Sequence, residues 1–237
     1  MSKRAIILAG GLGKRLQPYT LVLPKPLMPI GEYPILEVVI RQLAYNGFDH
    51  LTMCVNHQAE LFMAFFGNGD KWGIKIDYSI EDKPLGTIAP LKLINSLPEN
   101  FLIMNGDILT DIDFNDLYQT HINNKNIFTI ASAERVEQIE YGVLDSNENS
   151  KLIGFSEKPK LNYLVSMGIY VANRDILGLI PLKQKYGFDD LMNTLLKEAN
   201  NPSIYKYDGN WLDIGRPDDY VKAIDEFENN KTKFLKD

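Results

Sequence analysis

Short apolar runs alternate with segments of helical spacing through the first half of the chain. The apolar runs predict buried strands, which cover residues 4–9, 51–55, 74–80 and 101–105. Apolar residues three and four positions apart predict helices between them, over residues 34–46, 59–66 and 87–97. Strands that alternate with helices are typical of βαβ units, so this half predicts a parallel sheet.

The pattern changes in the second half, where strand-like runs follow one another with few helices between them. These runs cover residues 127–133, 142–145, 152–157 and 164–171, and helices return at 189–198 and 217–228. The polar segment 146–151 predicts a hairpin turn. We therefore expect an α/β fold: a single domain, residues 1–237, with a Rossmann-like mixed sheet, mainly parallel and flanked by helices.

Composition and charge exclude several classes of protein. The 237 residues are 45% hydrophobic, which is enough for a well-buried core, and the net charge of -6 argues against nucleic-acid binding. The single cysteine, Cys54, fits a reducing compartment. The apolar run at 5–9 is too short for a signal peptide, and no run approaches the roughly 20 apolar residues of a membrane span. We expect a cytoplasmic protein without nucleic-acid or membrane partners.

Candidate chemistry begins in the loop GGLGKR, residues 10–15, directly after the first predicted strand. Ligands bind at the carboxyl ends of strands in open α/β sheets, and glycines let backbone N–H groups approach phosphate oxygens. The loop does not match the dinucleotide-binding fingerprint, because Leu16 stands where that motif has its last glycine. It does not match the P-loop either, because Arg15 follows Gly13-Lys14 where that motif has serine or threonine. Lys25 lies between two prolines that restrict its backbone. Cations beside amide donors suit a polyphosphate.

Two aspartates follow predicted strand ends and adjoin glycine turns. Asp107 follows the strand 101–105, and Asp213 precedes Gly215. Mg²⁺ in phosphoryl transfer is usually held by one or two carboxylates. The spacing of Asp107 and Asp213 in the chain does not by itself show that they share a site. Asp111 and Asp113 are interpreted as a loop and helix-cap cluster that precedes a helix.

The stretch from residue 8 to residue 31 resembles the signature of the nucleotide-sugar pyrophosphorylases, also called sugar-1-phosphate nucleotidylyltransferases. Their motif is G-G-x-G-x-R-L-x-P-x-T followed by P-K-P, and it is matched or nearly matched by Gly10, Gly11, Gly13, Arg15, Leu16, Pro18, Thr20, Pro24, Lys25 and Pro26. The resemblance implies the nucleotide-diphospho-sugar transferase fold, and we expect no C-terminal β-helix of the kind that some relatives have. It implies that an NTP and a sugar 1-phosphate give an NDP-sugar and pyrophosphate, with residues 1–125 binding the nucleotide and 126–237 the sugar.

The resemblance also assigns roles to individual residues. It implies that the catalytic residues are Arg15, Lys25 and Asp107, and that Asp107 and Asp213 bind Mg²⁺. The implied nucleotide-binding residues are Leu8, Gly10, Gly11, Gly13, Lys14, Glu81, Gly86 and Thr87. The implied sugar-phosphate-binding residues are Gly142, Glu157, Lys158, Gly168 and Trp211.

The sequence leaves the substrates open. The carboxylate of Glu81 could accept from both N1–H and the N2 amino group of guanine, which favours GTP, and the pattern around it resembles mannose or heptose guanylyltransferases. The alternatives are UTP, dTTP or CTP with another sugar 1-phosphate, a cytidylyltransferase for a non-sugar phosphate, and a non-catalytic protein that binds nucleotide-sugars. Thr87 is alternatively a helix N-cap, and Trp211 is alternatively a core residue. The expected partners are the two substrates, and a homo-oligomer stays open.

Overall fold

The structure is a computed structural model and describes residues 2–56, 58–182 and 184–236. The strands, numbered along the chain, are β1 (Arg4–Leu8), β2 (Pro29–Ile30), β3 (Tyr33–Pro34), β4 (His50–Val55), β5 (Lys75–Ile80), β6 (Asn100–Asn105), β7 (Ile108–Thr110), β8 (Phe128–Gln138), β9 (Gly142–Ser146), β10 (Leu152–Glu157), β11 (Lys160–Asn173), β12 (Ser203–Lys206) and β13 (Trp211–Asp213). The α-helices are α1 (Ile35–Tyr45), α2 (Ala59–Phe66), α3 (Phe114–Asn123), α4 (Phe188–Lys197), α5 (Pro217–Asn229) and α6 (Lys231–Phe234). No helix in the described ranges has the length and apolar character to cross a membrane.

One sheet in the described part of the chain has seven strands in the order β12-β8-β11-β6-β1-β4-β5. The strands β6, β1, β4 and β5 are parallel to their neighbours in this run, whereas β11 is antiparallel to both β6 and β8. The edge strand β12 is parallel to β8. The pairing of β6 with β11 joins the first and second halves of the chain in a single sheet. The prediction of an α/β fold with a mainly parallel mixed sheet is confirmed.

The central strand β1 shows why its sequence is continuously apolar. Ala5 and Ile7 pack into a core cluster that includes side chains of α1, α2 and α3, and Ile6 packs into a second cluster that includes side chains of α4. All three residues are fully buried. A parallel strand with helices on both faces has no solvent side, so its apolar residues do not alternate with polar ones.

The prediction of a helix at residues 87–97 is wrong. The segment instead contains a 3₁₀ turn at Ala89–Leu93. The backbone N–H groups of Ile88 and Ala89 both donate to the carbonyl oxygen of Tyr186 at 3.1 Å, and Pro90 has no N–H to offer a helix. Hydrogen bonds to a distant part of the chain therefore decide the conformation, and the apolar spacing could not reveal them.

The strands β8 and β11 extend beyond the predicted 127–133 and 164–171 because exposed residues 134–138 remain paired with 160–164. The chain continues from them into the β9–β10 pair. At its tip, the Asn147 side chain accepts from the N–H groups of Asn149 and Lys151, so the predicted hairpin turn is confirmed. We call residues 133–166 the β-arm.

Candidate active site

A cavity of about 490 Å³ opens at the carboxyl ends of β1, β4, β5 and β6. Ligands of open α/β sheets bind at this edge. Every predicted catalytic or nucleotide-binding residue lines this cavity: Leu8, Gly10, Gly11, Gly13, Lys14, Arg15, Lys25, Glu81, Gly86, Thr87 and Asp107. The predicted sugar-phosphate residues Gly142, Glu157, Lys158, Gly168 and Trp211 are not among its described lining residues, and neither is Asp213.

The loop after β1 takes its shape from contacts within the motif. Gly13 has a φ of 58°, and a Cβ there would lie 2.9 Å from Thr20 Cγ2. The Thr20 hydroxyl donates to the carbonyl oxygen of Gly13 at 2.7 Å. Next to it, Leu16 is fully buried and ends a 3₁₀ turn that also contains Lys14 and Arg15. The buried leucine and threonine therefore hold the loop while its two cations face the cavity.

Asp107 and Asp213 meet because β7 and β13 pair as antiparallel strands, with Asp213 opposite Ile108. The N–H of Ile214 also donates to the carbonyl oxygen of Asp107 at 3.2 Å. The ammonium of Lys25 pairs with Asp107 Oδ2 and lies 3.8 Å from Asp213 Oδ1. The Lys25 side chain is only 9% exposed, and these two carboxylates are its ion-pair partners. The structure thus brings together three predicted residues that the sequence separates widely.

This cluster fits a divalent cation. Asp107 Oδ1 is buried without a hydrogen-bond partner in the described residues. Burial, followed by the charge of Asp107, raises the pKa of Asp213 above its ordinary value. Residues 2–56, 58–182 and 184–236 contain no group of three or more His, Cys, Asp or Glu side chains placed to hold a metal. A carboxylate pair is nevertheless sufficient for Mg²⁺, which commonly takes its other ligands from substrate phosphates and water.

Asp111 and Asp113 have structural roles. Asp113 Oδ1 accepts from the N–H of Asp116 at 2.8 Å and caps α3, as predicted. Asp111 accepts from the backbone and side-chain N–H groups of Asn210 at 2.8 and 2.9 Å, and from the hydroxyl of Tyr207. These contacts hold the loop that leads into β13.

Glu81, Gly86 and Thr87 line a wall of the cavity that two distant segments build together. Glu81 Oε2 accepts from the N–H of Leu85 at 3.1 Å, and burial raises the Glu81 pKa while this donor partly offsets the rise. Gly86 has a φ of 97°, and a Cβ there would lie 2.7 Å from the carbonyl oxygen of Tyr186. Gly86 is therefore needed for packing of the chain, whatever its role toward a ligand.

Thr87 is not the N-cap of a helix of its own, so that alternative is wrong. Its hydroxyl oxygen accepts from the backbone N–H of Phe188, the first residue of α4, at 2.9 Å. The N–H of Tyr186 donates to the carbonyl oxygen of Leu85 at 2.8 Å on the same side. The start of α4 is thereby attached to the wall of the cavity.

Gly142, Glu157 and Lys158 lie on the β-arm. Gly142 and Glu157 are partners across the β9–β10 pair, and all three residues are exposed. Lys158 has a φ of 44°, an uncommon conformation for a residue with a side chain. The structure therefore places the three residues close together on the arm.

Gly168 and Trp211 lie nearer to the sheet. Gly168 has a φ of 73°, and a Cβ there would lie 2.6 Å from Asn105 Nδ2, a side chain that lines the cavity. The indole N–H of Trp211 donates to the carbonyl oxygen of Met167 at 3.0 Å, and the guanidinium of Arg135 lies 4.7 Å from the ring centroid. The half-buried Trp211 packs against the main core, as the core alternative expects.

Several other lining residues were not predicted as site residues, among them Asn56, Asn105, Lys185 and Gly215. Asn56 follows β4 and donates to the carbonyl oxygen of Gly10, and Asn105 ends β6. The rule that strand ends carry site residues could have found both asparagines. Lys185 reaches the cavity through tertiary packing of the second half, for which the sequence has no signal, whereas Gly215 belongs to the glycine turn already noted beside Asp213.

Comparison with known proteins relates this geometry to other chains. Residues 4–230 match the family described as nucleotidyl transferase. The D-glycero-alpha-D-manno-heptose 1-phosphate guanylyltransferase of Aneurinibacillus thermoaerophilus is 36% identical over 95% of this chain and 98% of its own. The UTP--glucose-1-phosphate uridylyltransferase of Synechocystis sp. is 32% identical over 93% of this chain and 62% of its own, so this chain spans less than two thirds of that relative. The crystal structure of HddC from Yersinia pseudotuberculosis has a TM-score of 0.73 and 25% identity, over 95% of this chain and 99% of its own.

The family match runs from β1 to the end of α5. It includes the glycine loop, Lys25 and both aspartates that meet beside the cavity. The relatives named above transfer a nucleotidyl group to a sugar 1-phosphate, as the residues 8–31 predicted. The chain belongs to the nucleotidyl transferase family.

Proposed function

We propose that the protein is a sugar-1-phosphate nucleotidylyltransferase that uses GTP and a manno-configured sugar 1-phosphate, either mannose or a heptose, and releases pyrophosphate. The observation that carries the proposal is the position of Lys25, between the carboxylates of Asp107 and Asp213 and beside the glycine loop. Amide donors, cations and a carboxylate pair at one cavity suit the transfer of a nucleotidyl group.

The reaction is an in-line displacement at the α-phosphorus of the nucleotide. An oxygen of the sugar phosphate forms the new P–O bond, and the electron pair of the broken bond leaves with pyrophosphate. Arg15 and the amides of residues 11–13 bind the departing phosphates, and Lys25 binds the α-phosphate and the sugar phosphate. Bound Mg²⁺ would neutralise charge on the triphosphate, with Asp107 and Asp213 as its protein ligands. No covalent enzyme intermediate is required, because positioning and electrostatics suffice.

Recognition of guanine is assigned to Glu81. Its carboxylate lines the cavity, and only one of its oxygens is bonded to Leu85 N in the described contacts. Guanine presents two adjacent donors, N1–H and the N2 amino group, which a carboxylate can accept together. Uracil and thymine present a single donor between two acceptors, so the same group suits them less well.

The sugar phosphate is assigned to the β-arm and its base. Glu157 would accept from sugar hydroxyls, Lys158 would bind the sugar phosphate, and Gly142 would leave room for the sugar. Gly168 and Trp211 would bound the site from the sheet side. Residues 1–237 would act as one catalytic domain, a proposal supported by the hydrogen bonds between β6 and β11 that join its halves.

Pyrophosphate release with Mg²⁺ tests the proposal, with each NTP measured against a panel of sugar 1-phosphates. We expect release with GTP and a manno-configured sugar 1-phosphate. The variants Arg15→Ala and Asp107→Asn should each lose about 100-fold or more in turnover because charge stabilisation is lost. Asp113→Asn is the matched control: it also removes a carboxylate, but asparagine still caps α3, so turnover should be unchanged.

Each other outcome changes a defined part of the proposal. Release only with another NTP would keep the reaction and overturn the assignment of guanine to Glu81. Full activity of both Arg15→Ala and Asp107→Asn would contradict the residue roles. If folded protein binds nucleotide but releases pyrophosphate with no pair, a non-sugar acceptor or a non-catalytic nucleotide-sugar-binding protein is favoured.

A further inference from the structure

The side chains of Asp219, at the start of α5, and of Arg15, in the glycine loop, border one space beside Gly215. Gly215 lines the cavity, and the position that a Cβ would take there lies 3.6 Å from Asp219 Oδ2 and 3.7 Å from Arg15 Nη2. Asp213 Oδ2 lies 3.7 Å from the same position. The guanidinium of Arg15 therefore shares one small space with two carboxylates, and the missing side chain of Gly215 keeps that space open.

The backbone on both sides of this space is fixed by one core cluster. Leu16, next to Arg15, is fully buried with Ile214 and with Ala223 of α5. The ring centroid of Tyr19 lies 6.3 Å from that of Tyr220, which follows Asp219. The glycine loop and the start of α5 thus pack against each other on either side of the Arg15 side chain.

Asp213 and Asp219 differ in their other partners. Asp213 lies 3.8 Å from Lys25 and is proposed to share a cation with Asp107. Asp219 is half-buried, and within the described residues no cation lies within 4 Å of it; Arg15 borders the same space beside Gly215 without forming an ion pair at that distance. Asp219 is therefore the carboxylate whose charge remains available to Arg15 once Asp213 is engaged.

We propose that Asp219 is a positioning residue, which orients the exposed Arg15 so that its guanidinium meets the departing pyrophosphate. A guanidinium has five N–H donors, so a carboxylate on one edge leaves donors for phosphate oxygens on the other. The inference rests on the proposed function, in which Arg15 binds pyrophosphate. It adds a residue outside the glycine motif and outside the metal pair.

The test compares Asp219→Asn with Asp218→Asn. Both residues lie in the first turn of α5, so both variants remove the same charge from the same helix end. Asp218 is exposed and serves as the matched control. We expect Asp219→Asn to lower kcat and to raise the KM for pyrophosphate in the reverse reaction, each by about tenfold, with the KM for the sugar 1-phosphate unchanged. Asp218→Asn should behave like the unmodified protein.

A double variant separates action through Arg15 from other effects. In an Arg15→Lys background, Asp219→Asn should cause little further loss, because the two residues act as one unit. Three outcomes would each overturn the inference. The losses from Arg15→Lys and Asp219→Asn would be fully additive, or Asp218→Asn and Asp219→Asn would lose equally. The third outcome is that Asp219→Asn needs a higher Mg²⁺ concentration for its half-maximal rate. If Asp219→Asn does not fold, Asp219→Glu keeps the charge, and the same KM comparison applies to it.

Binding of pyrophosphate, measured by calorimetry, keeps this test separate from the proposed function. A protein that shows no turnover with any substrate pair overturns the proposed function alone. In that protein, weaker pyrophosphate binding by Asp219→Asn than by Asp218→Asn would still support the positioning role, and equal binding would overturn it.

Discussion

At the scale of single residues, glycines of the motif make room for neighbouring side chains of the protein itself. A Cβ at Gly13 would press on Thr20, and one at Gly10 would lie 3.2 Å from Glu81 Oε1. The sequence predicts where bare backbone is needed, because a run of glycines after a buried strand is unusual in itself. Which atoms fill the space follows only from the tertiary contacts. The binding roles of these residues stay predictions.

Glu81 carries the proposed choice of base, and its substitution tests that choice. Glu81→Gln keeps the size of the side chain but replaces one acceptor with a donor, which would face a donor of guanine. We expect kcat/KM for GTP to fall by roughly 10- to 100-fold, which corresponds to the loss of a hydrogen bond to a charged group. The value for UTP should fall far less. Pyrophosphate release measures both.

The control for this experiment is the neighbouring carboxylate. Asp82→Asn also removes one charge, but Asp82 is exposed and is not among the described lining residues of the cavity. It should leave the ratio of GTP to UTP activity unchanged. Equal losses for GTP and UTP in Glu81→Gln would contradict base reading by this residue.

At the scale of elements, hydrogen bonds between segments override local propensity. Residues 87–97 have the apolar spacing of a helix, yet the backbone N–H groups of Ile88 and Ala89 donate to Tyr186, and the Thr87 hydroxyl accepts from the first N–H of α4. Such contacts connect parts of the chain about a hundred residues apart, which periodicity does not detect. Long apolar elements such as β1, α1 and α2 were predictable because burial alone explains them.

Gly86→Ala tests this junction. The φ of 97° and the nearby carbonyl oxygen of Tyr186 leave no room for a Cβ, so we expect the free energy of unfolding to fall by about 1–3 kcal/mol. Urea unfolding measures this loss as a lower midpoint with an unchanged slope. Gly178→Ala is the control, since a Cβ at Gly178 meets no atom within 4 Å. Equal stability of the two variants would contradict the described contact.

At the scale of the whole molecule, the buried His121 connects α3 to the sheet. Its Nδ1 lies 2.8 Å from Thr129 Oγ1 of β8, and its Nε2 lies 3.2 Å from Asn100 Oδ1 of β6. Burial lowers the pKa of His121 from its ordinary 6.5 to about 4. The folded protein therefore holds this imidazole neutral at pH values where the unfolded chain would protonate it.

This difference in protonation predicts a loss of stability in mild acid. Between pH 6.5 and about 4 the unfolded state binds more protons at His121, so the free energy of unfolding falls as the pH falls. The contribution of His121 to the free energy of unfolding is fully present above pH 6.5. Below pH 4 the free energy of unfolding is lower by about 3 kcal/mol because of this residue. Urea unfolding as a function of pH measures it. His121→Gln should show a shallower decline, and parallel declines would contradict the assignment.

The family, the α/β class and the loop that lines the cavity all follow from the sequence alone. A glycine loop with cations after an apolar strand is local chemistry, which is why residues 8–31 were sufficient. The strand-end position of Asp107 was also predictable, because the carboxyl ends of parallel strands share one edge of the sheet.

How the distant groups of the site meet follows from tertiary packing alone. The pairing of β7 with β13 places Asp213 beside Lys25, and the packing of α5 brings Gly215 and Asp219 to Arg15. These contacts depend on which surfaces become buried together. The pattern of apolar residues along one segment indicates that a side chain is buried, but it does not indicate which other segment the side chain packs against. The physical reason is that periodicity measures how one segment faces solvent, whereas a site depends on the distances between segments.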